Sequence, residues 1–225
     1  MIEKFIQPAS TFAPDIDFLI LFIGILVTFW FLAAEGMFFW LLWRYRAKDG
    51  QAAEYVTGKE KHLKRWINIP HALIILCDVL IIIGAIRVWY QVKQDIPENP
   101  DNVVVVVGQQ WAWTFIHAGR DGQIGTADDI KTVDELHVVE GQKTVFHLES
   151  RDVLHSFSVP VFRLKQDAIP GRRITGWFQA TETGTFDIQC AEMCGIGHGI
   201  MLGRIVVHTP DEYAAWVDRS ATAMR

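Results

Sequence analysis

The sequence predicts a two-helix transmembrane hairpin followed by an all-β domain. Three observations predict it. Two long apolar runs, Phe18 to Trp43 and Ile67 to Tyr90, flank a basic loop. After Pro97 and Pro100 the apolar pattern breaks into short segments rich in β-branched and aromatic residues. Near the C-terminus, Cys190-Ala-Glu-Met-Cys-Gly-Ile-Gly-His-Gly-Ile-Met201 gathers two thiols, an imidazole and a thioether within twelve residues.

The first run is 26 residues long with Glu35 as its only charge. At 1.5 Å per residue a helix of that length reaches roughly 39 Å, enough to span a bilayer with tilt. The second run carries Asp78 inside it and Arg87 near its end, and lies too far along the chain to be a signal peptide. The loop from Arg44 to Arg65 holds seven Lys/Arg, whereas residues 1–17 hold only Lys4. The positive-inside rule therefore expects the loop in the cytoplasm and both termini on the opposite face. The expected layout is an extracytoplasmic segment at 1–17, spans at 18–43 and 67–90, a cytoplasmic loop at 44–66, and an extracytoplasmic domain at 91–225. Trp40, Trp43, Trp66, Trp89 and Tyr90 fall where interfacial aromatics sit.

Glu35 and Asp78 are the odd residues, because carboxylates inside a membrane are costly and face protein or water. Counted from the loop they lie at similar depths, on the order of 12 and 16 Å. They are candidates to share a proton or to touch a neighbouring membrane subunit. Separate hydrogen bonds to backbone or water are the plainer alternative.

In the second half, Val103–Val107, Trp111–Ile116, Lys143–Glu149, Arg173–Phe178, Thr185–Gln189 and Gly203–His208 read as strands of a small sandwich or barrel. Gly119 to Ile130 is a Gly/Asp-rich insertion without a full calcium-loop pattern, read as a hairpin extension. Thr209-Pro-Asp-Glu212 reads as a capped helix start leading through Trp216. From residue 91 onward there are 12 Lys/Arg against 18 Asp/Glu, a net charge of −6. An acidic surface suits a basic soluble partner and argues against nucleic acid.

Thiolate and thioether are soft ligands and imidazole is borderline, a set that favours copper over magnesium, calcium or manganese. A single blue-copper ion uses one cysteine, so Cys190 and Cys194 suggest two bridged coppers and require one further ligand. A disulfide between them is the alternative in an oxidising compartment, but leaves His198 and Met201 unexplained. Cys77, in an apolar run, reads as an inert buried thiol. His155 precedes the strand-like Ser156–Val159, and in a two-sheet fold it can face a loop joining two later strands.

Asp152-Val-Leu-His-Ser-Phe-Ser-Val-Pro160, Leu164-Lys-Gln-Asp-Ala-Ile-Pro-Gly-Arg172 and Gln189-Cys-Ala-Glu-Met-Cys-Gly-Ile-Gly-His-Gly-Ile-Met201 resemble the signatures of cytochrome c oxidase subunit II. Gln110-Trp-Ala-Trp113 resembles that family's aromatic segment, and the two apolar runs match its layout. The resemblance implies a cupredoxin-like Greek-key domain carrying the binuclear copper centre CuA. It implies Cys190 and Cys194 as bridges, His155 and His198 as caps, and Met201 and the Glu192 carbonyl as weak ligands. The Glu192 side chain would reach a magnesium shared with subunit I. Trp111 would receive electrons from cytochrome c or a similar small donor, and Asp167 and Arg172 would support the contact with subunit I. The implied role is that of the electron-accepting subunit of a proton-translocating oxidase, embedded in membrane lipid beside other membrane subunits.

One departure stands out. The family often has Glu-x-x-Trp at the start of the second span, where this chain has Leu63 before Trp66, with Glu60 about one turn earlier. No C-x-x-C-H is present, so no c-type haem is attached to the chain. Two rival readings remain open, a copper subunit of a nitric oxide reductase and a membrane-tethered copper-delivery protein.

Overall fold

The computed structural model describes residues 7–52 and 57–223. Lys4 and residues 53–56 of the basic loop lie outside the described residues. The chain divides into two compact units, residues 18–87 and residues 1–17 with 88–225.

The first unit is built on two helices, α1 (Ala13–Arg44) and α2 (Lys61–Trp89). Pro14 in the first turn of α1 needs no intrahelical donor there, and Arg44 closes the helix at its negative end. α2 carries Pro70 in its interior, which removes one backbone hydrogen bond. Both helices are long and apolar enough to cross a membrane, each with a mean hydropathy of 2.5 over its best window. Their side chains, Phe29, Phe31, Leu32, Ile82 and Ile83 among them, are exposed in the isolated chain, as a lipid-facing surface would be. Leu19 lies against Gly84, where an added Cβ would come within 3.2 Å of its Cδ1.

The second unit is a sandwich of two five-stranded sheets with the cupredoxin-like Greek-key layout. One sheet contains β1 (Asn102–Gln109), β2 (Ala112–His117), β3 (Ile130–Val133), β5 (Lys143–Ser150) and β8 (Ile174–Gln179), ordered β3-β2-β1-β5-β8. The other contains β4 (Glu135–Val139), β6 (His155–Val159), β7 (Leu164–Ala168), β9 (Gly184–Cys190) and β10 (Leu202–His208), ordered β4-β10-β9-β6-β7. β1 runs parallel to β5, and β10 parallel to β4. Parallel neighbours cannot be joined by a tight turn, so the chain crosses between the sheets.

The patterns explain the placement. Val104 to Val107 are all buried, as a continuous apolar run requires of a central strand covered on both faces. β2 alternates, with Trp113, Phe115 and His117 turned inward. Phe157 sits at the centre of the core, with ring centroids 5.6 Å from Trp113, 6.3 Å from Phe115 and 5.7 Å from Phe146. Asp134, in left-handed backbone at φ 56°, makes the corner where the chain leaves one sheet for the other. Its carboxylate accepts the Trp113 N–H at 2.7 Å and its carbonyl accepts the Arg204 N–H at 2.8 Å.

All six expected strand segments are strands, each within a residue or two of its expected bounds. β3, β4 and β7 are additional. The Gly119–Ile130 insertion joins β2 to β3, which pair antiparallel. Its acids are occupied by the loop's own groups: Asp129 accepts the Gly125 N–H and Asp128 the Thr126 hydroxyl. Thr209 and Glu212 form the reciprocal cap of α3 (Pro210–Ala223).

α3 covers a group of histidines. Trp216 stacks on His137 at 4.1 Å, and His137 Nδ1 lies 2.8 Å from His208 Nε2. Burial, reinforced by His137, pushes His117 down to about 3, and burial pushes His137 down to about 4 with His208 adding to it.

Residues 8–17 complete this unit. Ala9 N–H donates to the Val161 carbonyl at 2.9 Å, and the Ala9 carbonyl accepts the Thr181 N–H at 3.0 Å. The Ser10 hydroxyl donates to the Phe162 carbonyl at 2.9 Å, and Phe12 meets Trp177 edge-on at 4.6 Å. Asp17 takes two hydrogen bonds of 2.7 Å from Arg163, with both side chains more than nine-tenths buried.

Candidate metal centre

β6 begins at His155 and β9 ends at Cys190, and the two strands are antiparallel neighbours with Phe157 opposite Cys190. β9 and β10 form a hairpin whose connection, residues 191–201, carries the other donors. The Cys190 N–H donates to the Met201 carbonyl at 3.2 Å and closes the neck of this loop. The Ala191 N–H donates to the Ser156 carbonyl at 2.9 Å and ties the loop to β6. Gly195 turns at φ 118°, a conformation that side chains rarely adopt. His198 opens a single 3₁₀ turn that ends against Met201.

This geometry converges the donors. Cys190 Sγ and Cys194 Sγ are 3.7 Å apart and unbonded. His155 Nδ1 lies 3.9 Å from Cys190 Sγ, and His198 Nδ1 lies 3.7 Å from Cys194 Sγ. Met201 Sδ is 3.8 Å from Cys194 Sγ, and the Glu192 carbonyl is 3.3 Å from Cys190 Sγ. His155, Cys190 and Cys194 are buried, and their ligand atoms lie within 4.8 Å of one another. Burial and the neighbouring Cys190 thiol push Cys194 up to about 11, so a cation binding here must displace a tightly held proton. Two unbonded soft donors, each faced by an imidazole nitrogen and shielded from water, fit copper.

Polar neighbours fix the first donor. His155 Nε2 donates to Asp152 Oδ1 at 2.8 Å, which leaves its Nδ1 lone pair facing the thiols. Gly108 lets the strand pass this ring, since an added Cβ there would sit 3.1 Å from His155 Cδ2. On the opposite side, the Cys194 carbonyl accepts Gln110 Nε2–H at 2.8 Å and the Trp111 indole N–H at 3.3 Å. The Trp111 ring lies over Gly197, where an added Cβ would run into it.

The structure thus gathers His155, Cys190, the Glu192 carbonyl, Cys194, His198 and Met201, with Trp111 against them. The Glu192 carboxylate has no hydrogen-bond or ion-pair partner among the described residues. Asp167 lies on β7 opposite Ser156 and meets Lys165 at 3.4 Å, and Arg172 is exposed in the turn after β7. Neither joins the thiols. Glu35 is half-buried on α1 and Asp78 exposed on α2, with no hydrogen bond between them. Sequence reasoning assigned no role to Asp152 or Gln110. A carboxylate three residues before a candidate ligand histidine was the available signal for Asp152. Gln110 carried none, because its contacts arise only when the β1–β2 turn meets the β9–β10 loop.

Around the loop the surface is apolar. Ile196 is 96 % exposed, Ile200 78 % and Met193 72 %, with Leu202, Leu154 and Trp111 beside them in exposure.

Comparison with known proteins agrees with this architecture. The family model for the periplasmic domain of cytochrome c oxidase subunit II matches residues 102–209. The alternative cytochrome c oxidase subunit 2 of Bradyrhizobium diazoefficiens is 31 % identical, over 87 % of this chain and 78 % of its own. Cytochrome c oxidase subunit 2 of Cereibacter sphaeroides is 29 % identical, over 95 % of this chain and 79 % of its own. Among solved structures, the periplasmic domain of subunit II of cytochrome oxidase (CoxB) of Bradyrhizobium japonicum aligns at a TM-score of 0.51 and 28 % identity, covering 58 % of this chain and 99 % of that one. With a relative above 30 % identity matched over most of both lengths, the chain belongs to the cytochrome c oxidase subunit II family.

Proposed function

We propose that this chain is the electron-accepting subunit of a haem-copper terminal oxidase. It takes electrons from cytochrome c or a similar small donor and hands them to haem in subunit I, where O2 is reduced to water with proton translocation. One observation carries the reading: two buried, unbonded thiols 3.7 Å apart, each faced by the Nδ1 of a different imidazole. In this reading Cys190, Cys194, His155, His198, Met201 and the Glu192 carbonyl would together hold two coppers. Bound there, the copper pair supplies a one-electron acceptor whose charge is shared over two metals.

The chain's own residues do the rest. Complete burial of His155 and Met201 keeps water from the donors. A site closed in this way favours retention of copper over hand-off to an acceptor protein, which argues against a delivery role. Trp111 is 38 % exposed and hydrogen-bonded to the backbone of Cys194, a position suited to receive electrons from a donor resting on the apolar rim. In this reading the Glu192 carboxylate, without a partner among the described residues, would serve a magnesium at the subunit I contact, with Asp167 and Arg172 supporting that contact. Glu35 and Asp78 are assigned to neighbouring membrane subunits or to a shared proton.

The helices α1 and α2 are the two spans. The packing of residues 8–17 in the same unit as the sandwich supports the reading that both ends of the hairpin lie on one side of the membrane. The seven Lys/Arg of the connecting loop support that side being away from the cytoplasm, at the periplasmic face of a bacterial plasma membrane.

The test is copper loading of the full chain in detergent, followed by copper analysis and electron spin resonance. Two coppers per chain sharing one unpaired electron are expected, with loss of that pattern in Cys190→Ser. A single copper whose spectrum is unchanged by Cys190→Ser would refute the proposal.

A further inference from the structure

We infer that Gln110 is a positioning residue that ties the two halves of the copper site together. The inference rests on the copper reading above. The donors come from two places in the chain: His155 at the start of β6, and Cys190 to Met201 on the β9–β10 loop. Gln110 belongs to neither, yet it holds both. Its backbone N–H donates to Asp152 Oδ2 at 2.7 Å, and Asp152 Oδ1 accepts His155 Nε2–H at 2.8 Å. Its side-chain Nε2 donates to the Cys194 carbonyl at 2.8 Å. One residue therefore links the His155 imidazole, through Asp152, to the backbone of the cysteine that faces His198.

The connection is braced on both flanks. The Arg151 N–H donates to the Gly108 carbonyl at 3.0 Å, and Arg151 Nη1 to Gln109 Oε1 at 2.9 Å, so the segment leading to Asp152 is fixed to the end of β1. Asp152 Oδ1 also accepts the Val153 N–H at 2.7 Å, which sets the carboxylate plane. Bonds to a carboxylate are the stronger kind, and groups that orient a ligand from behind are worth ten- to a hundredfold in metal affinity. Gln110 itself is exposed, so replacing it opens no cavity in the core.

Three variants of the full chain test this: Gln110→Glu, which keeps the shape and removes the side-chain donor, Gln110→Ala, and Asp152→Asn. Copper affinity is measured by competition with a chelator, and the electron spin resonance lineshape is recorded on the loaded protein. Gln110→Glu and Gln110→Ala are expected to weaken retention about tenfold and to change the lineshape, because Cys194 can then shift relative to His155. Asp152→Asn is expected to weaken it by about tenfold to a hundredfold, and the Gln110→Glu/Asp152→Asn pair no more than Asp152→Asn alone. Wild-type affinity with an unchanged lineshape in both Gln110 variants overturns the inference, as do losses that multiply in the pair. Failure of the wild-type chain to load two coppers would instead overturn the underlying copper reading, and this inference with it.

Discussion

Replacing Asp17 by Ala removes the carboxylate from a buried ion pair and takes from the Arg163 guanidinium two short, charge-assisted hydrogen bonds. Asp17 is 6 % exposed and Arg163 8 %, and both connecting hydrogen bonds are 2.7 Å. Removing one carboxylate from a buried, hydrogen-bonded pair costs up to about 3–5 kcal/mol, far more than a surface bridge is worth. For a chain of this size each kcal/mol moves the midpoint by about 2–4 °C, so a fall of roughly 6–20 °C is expected. The assay is thermal unfolding of the full chain in detergent, followed by near-ultraviolet circular dichroism. Trp177, touched by Phe12 of the same N-terminal segment, contributes to that signal. An Asp17→Ala midpoint within roughly 2 °C of wild type would refute the reasoning, since the pair would then be behaving as a solvated surface bridge.

Other predictions follow from the same structure. His117 and His137 are held below their ordinary value of 6.5, at about 3 and about 4, so the unfolded chain binds more protons in acid. Their contribution to stability is complete above about pH 6.5 and is lost as pH falls towards 4 and 3. Urea midpoints measured across that window should decline, and a flat profile would refute the claim. Phe157→Ala should cost about 3–5 kcal/mol, read from urea unfolding, because four aromatic rings meet at that point. Trp111→Ala should slow electron uptake from reduced cytochrome c in stopped flow while copper content stays at the wild-type level. Donor association should slow with added salt, reflecting the net charge of −6 carried from residue 91 onward, yet binding should persist because the rim of Met193, Ile196 and Ile200 is apolar. Complete loss of binding at moderate salt would contradict that division.

Much of the site could be read from one dimension because most of it lies on one loop. Cys190, Cys194, His198 and Met201 are neighbours in sequence and in space, and soft donors at short spacings advertise a metal. His155 could be nominated only by its place before a strand and by family likeness, since nothing in its spacing links it to Cys190. Asp152 and Gln110 went without a role because their partners are chosen by the approach of two turns. The missing strands failed for separate reasons. β7 is an edge strand whose Lys165, Gln166 and Asp167 show no apolar alternation, although polar residues are how edges are protected. β3 and β4 merge into one stretch of sequence around Asp134, and only its left-handed backbone divides them between two sheets. The packing of residues 8–17 was invisible, since a short polar and apolar mixture carries no period.

That packing sets an order of events during synthesis. Ser10 is bonded to Phe162, 152 residues further along, so the first residues translated must wait for much of the chain before they find their partners. Contacts that distant close late in folding. A fragment cut to begin after the second helix lacks the partners that residues 8–17 supply to the sandwich. It leaves the Trp177 edge without Phe12 and takes Asp17 away from Arg163.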